Sequence, residues 1–256
     1  MPSHDYRVYA VRYGHRDHVP AHEAFHQEHA APEGGMDYFV WAVTDGQNTV
    51  VVDTGFGEDE GTRRGRTWLR SPDLGLAELG IVASQVEHVV LTHFHYDHIG
   101  GQALFPRATF YVQEEEMRFY TGRNATRPAF RGSIYLPDIL SIVAANYEGR
   151  VKFHDGDAQI VPGVRVHKVA GHTAGMQCVS VETTRGTAVL TSDASHYYAN
   201  IDEGNSFNTF VDMAGVYRGY DRIKELASSP DLILPGHDPL VMQRLKAAGP
   251  DIVELE

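Results

Sequence analysis

Cysteine is almost absent from this chain. Its 256 residues include one, Cys178, so no intrachain disulfide framework can staple the fold. Positive charge is also scarce: 22 lysines and arginines stand against 34 aspartates and glutamates, a formal net charge of −12. Phosphate binding relies on basic surface, so this balance argues against a nucleic-acid partner. No apolar run approaches the roughly 20 residues that span a bilayer, which argues against a membrane partner. The opening stretch Met1-Pro2-Ser3-His4-Asp5-Tyr6-Arg7 has no apolar core for a secretory signal, and the expected address is the cytoplasm. What remains is 42% hydrophobic and 22% charged, enough for a sizeable core and too apolar for global disorder. The expectation is a single domain over residues 1–256, with an N-terminal strand and histidine-rich excursion in 1–36.

The most informative stretch is Leu91-Thr92-His93-Phe94-His95-Tyr96-Asp97-His98-Ile99-Gly100-Gly101. It follows the apolar run Val89-Val90-Leu91, which reads as a buried strand, and Gly100-Gly101 breaks the pattern beyond it. In extended chain His93 and His95 project to one side, while Asp97 and His98 sit where the backbone turns. Imidazole and carboxylate are metal ligands, and four of them exceed what one open catalytic ion takes from a single segment. The spacing points to two metals. A solvated histidine-rich loop is the competing reading, and the full string after a hydrophobic strand is far more specific than that. The string resembles the signature of the metallo-β-lactamase superfamily.

Taken in order, Tyr6 to Tyr13 reads as an opening strand. His15, His18, His22, His26 and His29 follow, and from His18 their spacing suits one face of a short helix, more a solvated or interface face than a metal site. Asp37 to Val43 and Asn48 to Val52 are strands joined by an Asp-Gly turn. The second ends in Asp53-Thr54-Gly55. Glu58 to Ser71 reads as a long polar loop, a rim or lid, with Trp68 and Leu69 as its only large apolar residues. A helix over Leu74 to Val82, a strand over Ala108 to Val112 and a helix opening on Gln113-Glu114-Glu115-Glu116 follow, the acidic run reading as a solvated face. Arg123 to Gly132 is an irregular basic connection, and Pro137 to Ala145 a short helix. Val151 to His154 and Gln159 to Val161 read as a hairpin around Asp155-Gly156-Asp157. Strands over Val164 to Val169, Met176 to Glu182 and Thr187 to Thr191 come next, then an amphipathic helix over Met213 to Ser228 and a strand at Leu232 to Leu234. Four strand ends thus carry His93/His95/Asp97/His98, His172, Asp193 and His237.

The order of these motifs is similar to the superfamily across residues 37 to 240. The resemblance implies an α/β fold, a four-layer αββα sandwich in which two mixed sheets pack face to face with helices outside. It implies that His93, His95 and His172 hold one metal, that Asp97, His98 and His237 hold the second, and that Asp193 bridges them. Asp53 would orient a ligating histidine from below. Two divalent ions, zinc first and iron, manganese or cobalt as alternatives, would supply a bridging hydroxide, with Asp97 moving its proton to the leaving group. Among branches, Asp193, Asp53-Thr54-Gly55, Val161-Pro162-Gly163-Val164 before Gly171-His172-Thr173, and Gly236-His237-Asp238 resemble the N-acyl homoserine lactonases, quorum-quenching enzymes that open a lactone. Alternatives are a thioesterase of the glyoxalase II type and a non-hydrolytic metal or redox protein. The resemblance also suggests a homodimer.

Two departures bear on substrate: the N-terminal excursion of His15 to His29 is longer than the resemblance leads one to expect, with the pocket or a dimer interface as the places it would reshape, and the segment after Asp193 differs. The family's Asp-Ala-Ser-Tyr is here Asp193-Ala194-Ser195-His196-Tyr197-Tyr198, so the tyrosine that meets the lactone carbonyl stands one place late. Tyr197 is the preferred replacement and His196 the other. Tyr96, inside the ligand string, is expected near the metals and the substrate tail. Met36 and Trp68 are substrate candidates for which ordinary packing competes.

Overall fold

The computed structural model describes residues 5–255. Met1 to His4 of the opening stretch, and the final Glu256, lie outside the described residues. The first sheet is built from β1 (Arg7–Arg16), β2 (Met36–Thr44), β3 (Thr49–Val52), the two-residue β4 (Thr67–Trp68), β5 (His88–Val90), β6 (Thr109–Gln113) and β7 (Val151–His154). The second takes β8 (Ala158–Val161), β9 (Val164–Lys168), β10 (Gln177–Thr183), β11 (Gly186–Ser192) and β12 (Ile233–Pro235). The chain then returns to the first sheet as β13 (Lys246–Gly249) and β14 (Ile252–Leu255). The strand orders are β13-β14-β1-β2-β3-β5-β6-β7, with β4 also on β1, and β12-β11-β10-β9-β8. Each sheet mixes parallel and antiparallel pairs.

Period-2 alternation along the strands sorts side chains into three cores. On β1, Val8 and Ala10 face the second sheet, where they meet Val164, Val166, Val179 and Val181. Tyr9, Val11 and Tyr13 face the other way, into a core closed by Ile139 and Ile142 of the helix Leu136–Tyr147. On the far side of the second sheet, Met176, Cys178 and Val189 pack under Val216, Tyr220 and Ile223 of the helix Met213–Leu226. Three cores between four layers make the αββα sandwich that the resemblance implied. No helix of the described residues is long and apolar enough to cross a membrane.

Registry is what assembles the site. Parallel pairing sets Val52 beside Val90, so Asp53 and the start of the histidine string leave adjacent strand ends. Ser192 lies beside Pro235, bringing Asp193 next to Gly236-His237. Lys168 pairs with Gln177, so the loop carrying His172 emerges between them.

Four local expectations are corrected. Residues 151–161 do not form a hairpin, because β7 and β8 belong to different sheets. The Gln113 side chain binds both the N–H and the carbonyl of Gly156, turning the chain over to the second sheet. Residues 58–71 are ordered as the helix Glu58–Arg63 and β4, since Glu60 accepts from Arg63 and Arg64 one helical turn on. In the histidine-rich excursion only Ala21–Ala24 is helical. Buried Val19, Ala24 and Phe25 anchor it, and His18, His22 and His26 face outward. Finally, Glu116 of the acidic run is buried at 1% exposure.

Candidate metal centre

The site begins with backbone conformation. Asp53 follows directly on β3 with φ of 64°, a left-handed geometry that aspartate tolerates better than most residues. That turn carries its carboxylate beneath the histidine string, where Oδ1 accepts from the Thr92 N–H at 2.8 Å and Oδ2 from His98 Nδ1 at 2.8 Å. The backbone of Asp53-Thr54-Gly55 runs so close to the end of the string that a Cβ on Gly101 would sit 2.1 Å from the Thr54 carbonyl oxygen. Gly100-Gly101 is therefore a close-approach pair as well as a break in the strand.

Six histidines and two aspartates converge, all buried: His93, His95, Asp97, His98, His172, Asp193, His196 and His237. Asp193 sits at their centre and divides them. Its Oδ2 lies 3.7 Å from His93 Nε2, 3.2 Å from His172 Nε2 and 3.0 Å from His196 Nε2. Its Oδ1 lies 3.2 Å from His98 Nε2 and 2.8 Å from His237 Nε2. His95 joins the first group, its Nδ1 2.9 Å from His172 Nε2. Asp97 Oδ2 joins the second, 3.7 Å from both His98 and His237. The ligand-capable atoms of His93, His95, His172 and Asp193 lie within 4.8 Å of one another, as do those of Asp97, His98 and His237. These are the two sets that the sequence resemblance implied. A third grouping, Asp193, His196 and His237, was not foreseen.

The outward nitrogens are occupied. His98 Nδ1 donates to Asp53, His172 Nδ1 to the Thr209 carbonyl at 2.6 Å, and His237 Nδ1 to the Asp37 carbonyl at 2.9 Å. His93 Nδ1 meets the Thr92 hydroxyl at 3.1 Å, and His95 Nε2 meets the Tyr120 hydroxyl at 3.1 Å. The opposite nitrogens point inward, and His93 Nε2, His98 Nε2 and Asp193 Oδ1 are buried with no hydrogen-bond partner. Buried polar atoms left without partners cost free energy, and lone pairs converging on one point fit a cation. The charges agree. Burial, with the neighbouring imidazoles adding to it, holds His93 and His95 well below the usual histidine range. Burial works against Asp193, yet His237, His98 and His196 hold it well below the usual carboxylate range. Burial works against charge on His98 and His237 too, yet Asp193 and Asp97 hold His98 well above and His237 above the usual histidine range. Neutral imidazole and ionised carboxylate are the ligating forms, so a cation bound in the second group would take the place of those protons.

The centre opens into a cleft of about 240 Å³ whose wall includes Met36, Tyr38, Arg66, Tyr96 and His196. A second recess of about 420 Å³ shares His95 and His172 and is walled by Phe130, Phe210 and Val211. Tyr96 and Met36, two of the substrate candidates, line the first cleft. Trp68 does not: it lies in β4 opposite Gly14 and packs against the outer core, outside the cleft. Tyr197 is corrected as well. Its hydroxyl donates to the Gly35 carbonyl at 3.1 Å, its ring lies against Phe25, and it faces a separate groove of about 630 Å³. His196 turns inward instead, stacked on Phe207 with ring centroids 3.9 Å apart. Burial pushes His196 down to about 4, so it is neutral near pH 7.

Two residues escaped the sequence reading. Glu116 accepts the N–H of Phe94 at 2.9 Å and that of Gly175 at 2.7 Å, tying the first histidine loop to the loop of His172. Arg66 lies in the cleft wall, beyond an acidic helix that gave no sign of it.

The sequence profile of the metallo-beta-lactamase superfamily matches residues 33–237. The chain belongs to the metallo-beta-lactamase superfamily. An N-acyl homoserine lactonase from a Bacillus species is 29% identical over 165 residues, 64% of this chain and 60% of that protein. A probable metallo-hydrolase of Mycobacterium tuberculosis is 27% identical over 183 residues, 60% of this chain and 55% of that protein. The chain therefore spans about 60% of the length of the curated relatives it matches. Among solved structures, a quorum-quenching N-acyl homoserine lactone lactonase superposes with a TM-score of 0.79 at 21% identity, covering 97% of this chain and 98% of that one. A dizinc quorum-quenching lactonase in complex with a product superposes with a TM-score of 0.71 at 15% identity, covering 100% and 95%. At those identities the two structures establish this superfamily member's fold.

Proposed function

We propose that the protein hydrolyses a carboxylic ester, a lactone in particular, at two divalent cations. One cation is held by His93, His95 and His172, the other by Asp97, His98 and His237, with Asp193 between them. The observation that carries this reading is Asp193, whose two oxygens face different histidine groups. Imidazole with carboxylate suits zinc, and iron, manganese and cobalt accept the same donors. Such a pair, when bound, polarises a carbonyl and activates water near neutral pH. The chain supplies the rest. Asp97, in the cleft wall and itself one of the second ligand group, takes the proton of the attacking water and returns it to the departing alkoxide. His196 replaces Tyr197 as the side chain facing the substrate carbonyl. Tyr96 and Met36 contact the ring, and the recess beside Phe130 and Phe210 receives an apolar substituent. The relatives named as N-acyl homoserine lactonases make a small lactone the leading substrate. A cytoplasmic homodimer with neither nucleic acid nor membrane as partner completes the reading, resting on the net charge of −12 and the family resemblance alone.

Elemental analysis of purified protein, combined with a lactone panel followed by proton release, tests this. About two metals per chain are expected, with turnover lost on chelation and restored by zinc. Full activity with one firmly bound metal would sink the two-ion centre. Turnover of acyl-glutathione thioesters alone would replace the lactone by a thioester, and oxygen reduction without hydrolysis would remove the enzyme class.

A further inference from the structure

Arg66 stands in the cleft wall without a part in the chemistry above. Its neighbours in sequence are neutralised. Glu60 accepts from Arg63 and Arg64, Arg64 also donates to the Gly132 carbonyl at 2.8 Å, and Arg70 pairs with Glu78 at 2.8 Å. Across the cleft, Arg16 pairs with Glu23 at 2.7 Å. Arg66 differs from them. Its Nε donates to the Tyr96 hydroxyl at 3.1 Å, and among the described residues no carboxylate forms a direct ion pair with its guanidinium, Asp97 and Glu23 acting on it only at longer range. The acids sharing its cleft are Asp97 and Asp193, within the two ligand groups, and Glu23, held by Arg16.

The cation is also held in place. The Tyr96 ring stacks on Phe56 at 5.6 Å and is covered by the Arg64 guanidinium at 3.9 Å from its centroid. Its hydroxyl lies 3.5 Å from that of Tyr38. Because Tyr96 sits between His95 and Asp97 in sequence, Arg66 is tied to the ligand string through one hydrogen bond. The Nε contact leaves the terminal amino groups free, and that planar fork matches a carboxylate. A ligand filling the cleft displaces the water that solvates this half-buried charge, and a neutral group there leaves it uncompensated.

We propose that Arg66 binds a carboxylate carried by the substrate, so that the ester or lactone opened here bears a second, anionic group on the Tyr38–Tyr96 side of the cleft. The word substrate rests on the hydrolase reading; the anion site does not. Two measurements keep them apart. In the first, zinc-loaded protein is titrated by calorimetry with glutarate and with glutaramate, its monoamide. Glutarate should bind roughly 10- to 100-fold more tightly, the worth of a charge-assisted pair. Arg66→Gln should bring the two affinities to within about two-fold, and Arg66→Lys should fall between. In the second, kcat/KM is compared for a γ-butyrolactone carboxylate and its carboxamide. The wild-type preference for the carboxylate should be of the same order, and in Arg66→Gln the ratio should approach one. A glutarate preference that depends on Arg66, without turnover of any lactone, would keep the anion site and overturn the hydrolase. Equal affinities in the wild type, or a preference that survives Arg66→Gln, would overturn the anion site whatever the turnover.

Discussion

An imidazole has two nitrogens, and at this centre the outer one decides where the inner one points. Asp53, Thr209 and Asp37 each take an Nδ1–H, leaving Nε2 of His98, His172 and His237 aimed at Asp193. The ligand string was legible because it is local in sequence, and Asp53 only through the family resemblance that the string carries. The carbonyls of Thr209 and Asp37 were not, since any residue supplies a carbonyl. The choice between His196 and Tyr197 was likewise illegible, because it depends on how Ser195 turns the chain toward the helix Tyr198–Glu203. With His196 facing the cluster, His196→Ala should lower kcat on a lactone by about 100-fold, the lower end for loss of one oxyanion donor. Tyr197→Phe should leave kcat within about three-fold and cost about 1 kcal/mol of stability, the worth of its bond to Gly35. Steady-state kinetics on protein of matched metal content, with urea melts, checks both. A kcat loss confined to Tyr197→Phe would reverse the assignment.

At the scale of elements, rigid strand ends deliver the ligands and the loops between them need bracing. Apolar runs ending in His, Asp and Gly announced those strand ends, which is why most of the site was readable before any coordinates. Sheet membership was not announced. Residues 151–161 have the residue pattern of a hairpin, and only the distant Gln113 makes them a corner between sheets. Glu116 shows the same limit, since three consecutive glutamates look alike until one of them is buried. Its carboxylate spans two ligand loops, and burial pushes it up to about 7 despite the two N–H groups that favour its charge. Glu116→Ala should therefore weaken metal binding about 10- to 100-fold, as loss of outer supports of a metal site commonly does. Competition with a chromophoric chelator measures this directly. Unchanged affinity would mean that each loop holds its own shape.

For the whole molecule, closure and charge set stability. The last described strand, β14, pairs with β1, and its neighbours Ile252 and Val253 enter different cores. The short tail after His237 gave no hint of this, having few residues and an acidic end. Charge acts through linkage, and Asp138 at the start of the helix Leu136–Tyr147 is the clearest case. It is 9% exposed, and its Oδ2 has no hydrogen-bond partner. Burial, reinforced by Glu60 and partly offset by Arg64, raises it from 3.8 to about 7. Between those values the folded protein keeps a proton that the unfolded chain releases. The contribution of Asp138 to stability then falls as pH rises across this window, by at most about 1.4 kcal/mol per pH unit, and levels off above pH 7. Glu116 carries the same sign, but replacing it also breaks the clamp, so Asp138 is the cleaner probe. Asp138→Asn removes the titration while keeping the shape. Its stability advantage over the wild type in urea melts should be near zero at pH 4, grow through pH 6 and reach about 2–4 kcal/mol at pH 8. A constant advantage from pH 4 to pH 8 would assign the effect to packing, and a disadvantage at pH 8 would mean that ionised Asp138 is favourably bound in the folded protein.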